Sequence, residues 1–309
     1  MTLRVTFLGT SAAVPTTERN PSAVFVNREG DQFLFDAGEG TQRQMMRFGT
    51  GFGVTDVFLT HLHGDHVLGL PGLLQTWAFN GRSESLRIHT PSGTKRKLRQ
   101  FLFSLTGRPS FPVTIQEVHP GEKLIETDEY VIKTVATAHD ARTVGYALIE
   151  TERKGRFDRD TAEALGVPVG PLFSKLHRGE PVELADGTTV EPDQVVGPPR
   201  PGRRLVYTGD TRPTESVIEA ATDADLLIHD ATFVDAEQER ARETAHATAK
   251  QAGEVAAAAN AKRLVLTHIS SRYAGDASGH AVEAREMFSG AVSVAHDGLE
   301  LEIPFPDQC

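Results

Sequence analysis

The sequence predicts an α/β fold, a four-layer αβ/βα sandwich in which two sheets are each covered by helices and from which one arm protrudes. Three observations carry this. Short apolar, β-branched runs alternate with helical stretches in the order strands, helices, strands, helices along 309 residues. Between 152 and 203 that texture breaks down into Pro/Gly-rich chain. Finally, a His or Asp stands just beyond the end of an apolar strand at His61, His139, Asp210 and His268.

The elements follow in order. Arg4 to Leu8 reads as a strand ending at Gly9. Ala23 to Val26 and Phe33 to Phe35 read as two more, joined by the turn Asn27-Arg28-Glu29-Gly30. Two loops, Thr10 to Asn20 and the one opening at Asp36, then point toward one edge, and Thr41 to Phe48 suits a short helix. Asp56 to Thr60 is a buried strand. Gly69 to Asn80 is apolar nearly all round, a buried helix. Leu86 to His89 is a strand, Lys95 to Leu105 a helix whose basic cluster reads as a solvated face, and Val113 to Val118, Tyr130 to Thr137 and Val144 to Thr151 are strands. After the arm come strands at Arg204 to Tyr207, Leu226 to Ile228 and Arg263 to Leu266. An Ala-rich helix covers Thr244 to Asn260 and another lies near His280 to Phe288. Val292 to Ala295 and Leu299 to Ile303 close the chain. The reading is one domain over 1–309 with an inserted arm at about 152–203.

Composition bounds the function. Hydrophobic residues make 39% and charged residues 24%, ordinary for a globular protein with a real core. A net charge of −10 excludes binding of polyanions by the surface as a whole. The arm is neutral, with nine Lys/Arg against nine Asp/Glu from Glu152 to Arg204. No stretch is long and apolar enough for a membrane span, the N-terminus lacks a signal-peptide layout, and the one cysteine, Cys309, ends the chain. A cytoplasmic protein with no membrane partner is the expectation.

The chemistry centres on His61-Leu62-His63-Gly64-Asp65-His66. In extended chain, residues i and i+2 point the same way, so His61 and His63 can grip one ion, while the turn at Gly64 aims Asp65 and His66 beside it. Imidazole nitrogen and carboxylate oxygen suit zinc or a similar divalent metal. Two ions need about as many groups as the strand ends provide. His61, His63 and His139 would hold the first, Asp65, His66 and His268 the second, and Asp210, with two oxygens, could bridge them. Alone, His139 or His268 reads as an ordinary polar residue at a strand end; it is their joint occurrence with the HxHxDH run that points to a metal centre.

The arrangement resembles the metallo-β-lactamase fold superfamily over nearly the whole chain outside the arm, and within it the RNase Z family. Phe7-Leu8-Gly9-Thr10-Ser11-Ala12-Ala13-Val14-Pro15 with Arg19-Asn20 looks like that family's opening strand and loop. His139 to Tyr146, Tyr207-Thr208-Gly209-Asp210-Thr211 and Leu266-Thr267-His268-Ile269-Ser270-Ser271-Arg272-Tyr273 match further motifs. Gly166-Val167-Pro168-Val169-Gly170-Pro171, with Gly179 downstream, looks like the tip of the family's tRNA-gripping arm. His229-Asp230-Ala231-Thr232 and His246-Ala247-Thr248 stand where the family has His-Glu-Ala-Thr and His-Ser-Thr, so a shorter carboxylate replaces the usual one.

The resemblance implies a zinc-dependent endoribonuclease, with two Zn2+ per subunit (Mn2+ or another divalent ion serving as well), that removes the 3′ trailer of precursor tRNA and works as a homodimer. It assigns Asp65 to orient and deprotonate the attacking water, and His246, oriented by Asp230, to protonate the leaving oxygen. The rivals are a phosphodiesterase or lactonase of this fold acting on small substrates, against which the intact arm speaks, and a non-catalytic RNA-binding relative, against which the full set of seven ligands speaks.

Overall fold

The computed structural model describes residues 2–104 and 107–306. Leu105, the expected end of one helix, and Cys309 lie outside them. The chain divides into two compact units: one of 1–149 with 203–304, the other of 150–202 with 305–309.

The first unit holds two seven-stranded sheets. One runs in the order Glu300–Glu302, Leu3–Gly9, Ala23–Arg28, Asp31–Phe35, Asp56–Phe58, Leu86–Pro91, Val113–Val118; the other in the order Ala291–Val294, Arg263–Thr267, Leu226–Asp230, Arg204–Tyr207, Val144–Glu150, Tyr130–Ala136, Lys123–Glu126. Facing residues of both sheets, among them Phe7, Phe35, Phe58, Tyr146, Tyr207 and Val265, make the central core. A second core lies under the helices Thr41–Arg47, Leu70–Phe79 and Lys95–Phe103, a third under Glu215–Ala220, Ala249–Ala258 and Ser278–Met287. The four-layer sandwich follows: the inner strands bury both faces, which is why they read as continuous apolar runs, while the edge strands Lys123–Glu126 and Glu300–Glu302 bury neither fully.

Each sheet starts antiparallel and becomes parallel. From Asp31–Phe35 onward the first sheet is parallel, and from Arg204–Tyr207 onward so is the second. Parallel strands end at one edge, and in such sheets the carboxyl ends are where ligands bind. Asp36, His61, Asp210, Asp230 and His268 all stand at or just past such ends.

Some expectations are corrected. The Ala-rich helix spans Ala249–Ala258 rather than starting at Thr244, because Ala245 adopts φ 57° and Thr248 caps the helix with its hydroxyl, in a reciprocal box with Gln251. His246 therefore sits on the approach to the helix. Helix Leu70–Phe79 buries Leu70, Leu73, Leu74 and Trp77 but leaves Phe79 91% exposed, so it is one-sided rather than buried all round. The strand at Asp56 stops at Phe58, and Thr60 and His61 lie in the loop.

The second unit is more ordered than its composition indicates. Its two arms pair through Arg153 and Arg200, whose N–H and C=O groups exchange bonds of 2.7 and 2.8 Å, and again through Phe157 and Val196. Helices Arg159–Ala164 and Pro171–Arg178 and the hairpin Val182–Glu183/Thr189–Val190 follow. Ala162, Val167, Leu176, Val182, Val190 and Val195 form its core, and Leu165 is 36% exposed. Pro171 opens the second helix, and Gly179, at φ 91°, closes it in the left-handed conformation. Among the described residues no helix is long and apolar enough to cross a membrane.

Candidate metal centre

All seven residues expected as ligands meet at the sheet edge. His61, His63, His139 and Asp210 offer ligand atoms within 4.8 Å of one another, and so do Asp65, His66 and His268. Asp210 lies between the two sets and faces each with a different oxygen. Its Oδ2 stands 3.6 Å from His61 Nε2 and 3.8 Å from His139 Nε2. Its Oδ1 stands 3.3 Å from both His66 Nε2 and His268 Nε2. Asp65 Oδ2 completes the second set at 3.2 Å from His268 Nε2 and 3.6 Å from His66 Nε2.

Gly209 allows this approach. It has φ 60°, and a Cβ there would stand 2.5 Å from Thr60 Cγ2, so only glycine lets the loop after Tyr207 close on the loop after Phe58. Asp65 is fixed from the opposite side. Ser11–Ala12 pairs with Ile269–Ser270, which brings the Ala13 N–H to donate to Asp65 Oδ2 at 2.7 Å.

Hydrogen bonds around the cluster decide which nitrogen of each ring carries a proton. His66 Nδ1 donates to Asp36 Oδ2 at 2.8 Å, and His139 Nδ1 to the Ala245 carbonyl at 3.0 Å. The Thr60 hydroxyl donates to Asp36 at 2.9 Å and so accepts from His61 Nδ1 at 3.0 Å. The Thr232 hydroxyl donates to Asp230 Oδ1 at 2.7 Å and so accepts from His268 Nδ1 at 2.8 Å. Each bond leaves Nε2 as a bare lone pair aimed inward, the arrangement that metal-binding histidines adopt.

The result is a set of acceptors facing acceptors. His61 Nε2, His66 Nε2 and Asp210 Oδ1 are buried without a hydrogen-bond partner. His63 differs, since its Nδ1 donates to the bare His139 Nε2 at 3.3 Å. Buried acceptors left unpaired cost about 1–3 kcal/mol each, and cations between them remove that cost. The donor set fits divalent transition ions.

Asp230 and His246 form a separate pair, with His246 Nδ1 donating to Asp230 Oδ2 at 2.8 Å. Asp230, His246, Asp210 and His268 also lie within 4.8 Å. Asp230 is nevertheless fully engaged, because it accepts from Thr211 N–H at 3.1 Å, Thr232 N–H at 2.9 Å and the Thr232 hydroxyl as well. Burial opposes charge on the His246 ring, but the Asp230 carboxylate outweighs it and lifts the ring's pKa to about 9.

Sequence reasoning missed Asp36. It is buried, takes φ 58°, and accepts from the Thr60 N–H at 2.7 Å, from His66 and from the Tyr207 hydroxyl at 2.9 Å. Its signal was present, since Asp36 also stands just past an apolar strand. Asp140 was missed too: its Oδ1 lies 3.0 Å from His139 Nε2 and 3.7 Å from His63 Nε2.

Comparisons with known proteins agree with this geometry. The model of the metallo-beta-lactamase superfamily matches residues 16–268. Ribonuclease Z of Natronomonas pharaonis is 61% identical over 308 residues, 100% of both chains, and that of Halobacterium salinarum 63% identical over 307 residues, 99% of both. The solved structure of the short form of human tRNase Z superposes with a TM-score of 0.71 at 27% identity, covering 98% of this chain and 100% of that one. This chain belongs to the ribonuclease Z family of the metallo-beta-lactamase superfamily.

Proposed function

We propose that the chain is a dinuclear, zinc-dependent endoribonuclease that cuts the 3′ trailer from precursor tRNA, leaving a 3′-hydroxyl on the tRNA and a 5′-phosphate on the trailer. The observation that carries this is Asp210, set between two groups of inward-facing bare nitrogens with His246 beside them. The relatives' shared name, ribonuclease Z, and the human tRNase Z neighbour support the substrate class.

In this reading His61, His63 and His139 would hold one ion and Asp65, His66 and His268 the other, with Asp210 available to both. Divalent ions held there supply Lewis acidity toward a phosphoryl oxygen and make bound water more acidic. Asp65, steadied by the Ala13 N–H, orients the attacking water and takes its proton. The water oxygen bonds to phosphorus as the bond from phosphorus to the ribose 3′-oxygen breaks. His246 enters the step protonated because of Asp230, and its Nε2 gives a proton to the departing 3′-oxygen. Asp230, buried under its other three donors, holds the ring's orientation.

The arm supplies the grip on tRNA, with Lys175, His177 and Arg178 in the last turn of its second helix. A homodimer in the cytoplasm completes the reading, one subunit's arm holding the tRNA that the other cuts. The test is incubation of the metal-loaded protein with a 3′-extended precursor tRNA, mapping of both new ends, and metal analysis. Cleavage at the trailer junction with a 5′-phosphorylated trailer and two ions per chain is expected. A trailer with a 5′-hydroxyl, or full activity with one ion, would overturn the mechanism.

A further inference from the structure

The cleft that contains the ligands has a volume of about 400 Å³. A second cavity of about 600 Å³ adjoins it, lined by Arg212, Pro213, Gln238, Glu239, Arg242 and Gln251. His246 is the one described residue that lines both. The second cavity falls in the ~300–1,000 Å³ range of small-ligand sites, but its lining is charged and amide-bearing rather than apolar, with two arginines against the one carboxylate of Glu239.

Its two arginines are placed by the metal-centre loops. Arg212 follows Asp210 by two residues, and its N–H donates to the Ala138 carbonyl at 2.9 Å, beside His139. Its guanidinium is exposed and has no ion pair among the described residues. Arg242 lies on the helix Gln238–Glu243, and the carboxylate of Glu239 is 4.0 Å away with both side chains in solvent, a pair that holds it only weakly. Gln251 is different: its side-chain oxygen accepts from the Thr248 N–H to cap a helix. In a chain of net charge −10, two guanidinium groups and the Gln238 amide thus converge on one cavity next to the proposed general acid.

We propose that this cavity is the subsite for the strand upstream of the cut, the 3′-terminal nucleotides of the tRNA body. The inference rests on the proposed reaction. The leaving 3′-oxygen belongs to the upstream nucleotide, and His246 is its proton donor, so that nucleotide's ribose lies on the His246 side. The next phosphate and base toward the 5′ end then enter the cavity beyond it. Guanidinium groups suit phosphate oxygens through paired N–H donors, and the Gln238 amide can both donate to and accept from a base edge. Arg212 and Arg242 are positioning residues in this account, acting on substrate away from the reacting atoms.

The test compares the affinity of two reaction products for metal-loaded protein at one fixed salt concentration. One is a tRNA minihelix ending in the 3′-hydroxyl of the cleavage point; the other is a 5′-phosphorylated trailer oligonucleotide. R212A/R242A should weaken the minihelix about tenfold, as expected for lost phosphate contacts, and leave the trailer within about twofold. R212K/R242K, which keeps the charges, should recover most of the loss. Metal content and thermal unfolding are measured on each variant. Equal weakening of both ligands, weakening of the trailer alone, or no weakening would each overturn the proposal. Cleavage of the precursor by the unmodified protein is scored separately: its absence would overturn the reaction, whereas the affinity pattern judges the cavity.

Discussion

Asp36 touches none of the inward-facing nitrogens or oxygens of the seven candidate ligands, yet its replacement should impair metal binding. Asp36→Asn keeps the shape and exchanges one oxygen for an NH2 group. Every partner of Asp36 is a donor: the Thr60 N–H and hydroxyl, His66 Nδ1 and the Tyr207 hydroxyl. Whichever way the amide turns, its NH2 meets a donor. If it replaces Oδ2, His66 loses the acceptor that fixes its proton on Nδ1 and leaves Nε2 bare; if it replaces Oδ1, it opposes the Thr60 N–H and disturbs the hydroxyl that fixes His61. Losing such a partner typically costs ~10–100-fold in metal affinity, about 1.4–2.7 kcal/mol. The burial adds ~1–3 kcal/mol of lost stability for a donor left unpaired. Competition against a chromophoric chelator measures the affinity, with thermal unfolding of the metal-free protein alongside. Tyr207→Phe, which removes one donor and disturbs neither histidine, should bind metal within about threefold of the parent. Asp36→Asn with unchanged affinity, or a Tyr207→Phe defect as large, would refute the argument that Asp36 acts by fixing the ring protons.

Three further outcomes are expected. His246→Ala should slow precursor cleavage by ~10²–10⁴ with metal content unchanged; loss of metal would show a structural role instead. Replacing the arm by a short Gly/Ser linker between Ile149 and Arg203, which the strand pairing of Ile149 with Arg204 brings close, should abolish precursor cleavage but preserve hydrolysis of bis(p-nitrophenyl) phosphate; equal loss of both activities would count against an RNA-gripping role. Asp56 is buried, and although burial favours its neutral form, His89 and Arg87 hold its pKa down to about 2. Its folded pKa is depressed, so the stability it adds is full above the unfolded pKa and lost as pH falls toward 2, about 2 kcal/mol in all. Urea titrations of the parent and Asp56→Asn should show their stability difference narrowing by about 1 kcal/mol between pH 6 and pH 3, and a constant difference would refute the assignment.

What the sequence disclosed and what it hid divide along physical lines. Both sheets and most strands were legible because two-sided burial writes a continuous apolar run. The seven candidate ligands were legible because four of them sit within the six residues from His61 to His66 and the rest follow strand ends. The arm's core was not, since Ala162, Val182, Val190 and Val195 are small residues scattered among polar ones and no period links them. The start of the Ala-rich helix was hidden for the opposite reason. Alanine favours helix throughout Thr244 to Ala249, and only Ala245 at φ 57° and the Thr248–Gln251 box stop it there. That break shapes the candidate site: it frees the Ala245 carbonyl to accept from His139 Nδ1 and carries His246 to Asp230.

Asp36 makes the same point more sharply. Its position past a strand end was as visible as that of Asp210, yet its role depends on Tyr207, 171 residues away, and on Thr60 and His66 from another loop. A ligand can be inferred from its own chemistry and position. A residue that sets another residue's tautomer can be inferred only from who receives its hydrogen bonds. The four histidines whose Nδ1 protons are assigned here use four different acceptors: a carboxylate, two hydroxyls and a backbone carbonyl. No motif spells that out, because the common requirement is a bare Nε2 facing inward, and any acceptor on the far side of the ring meets it.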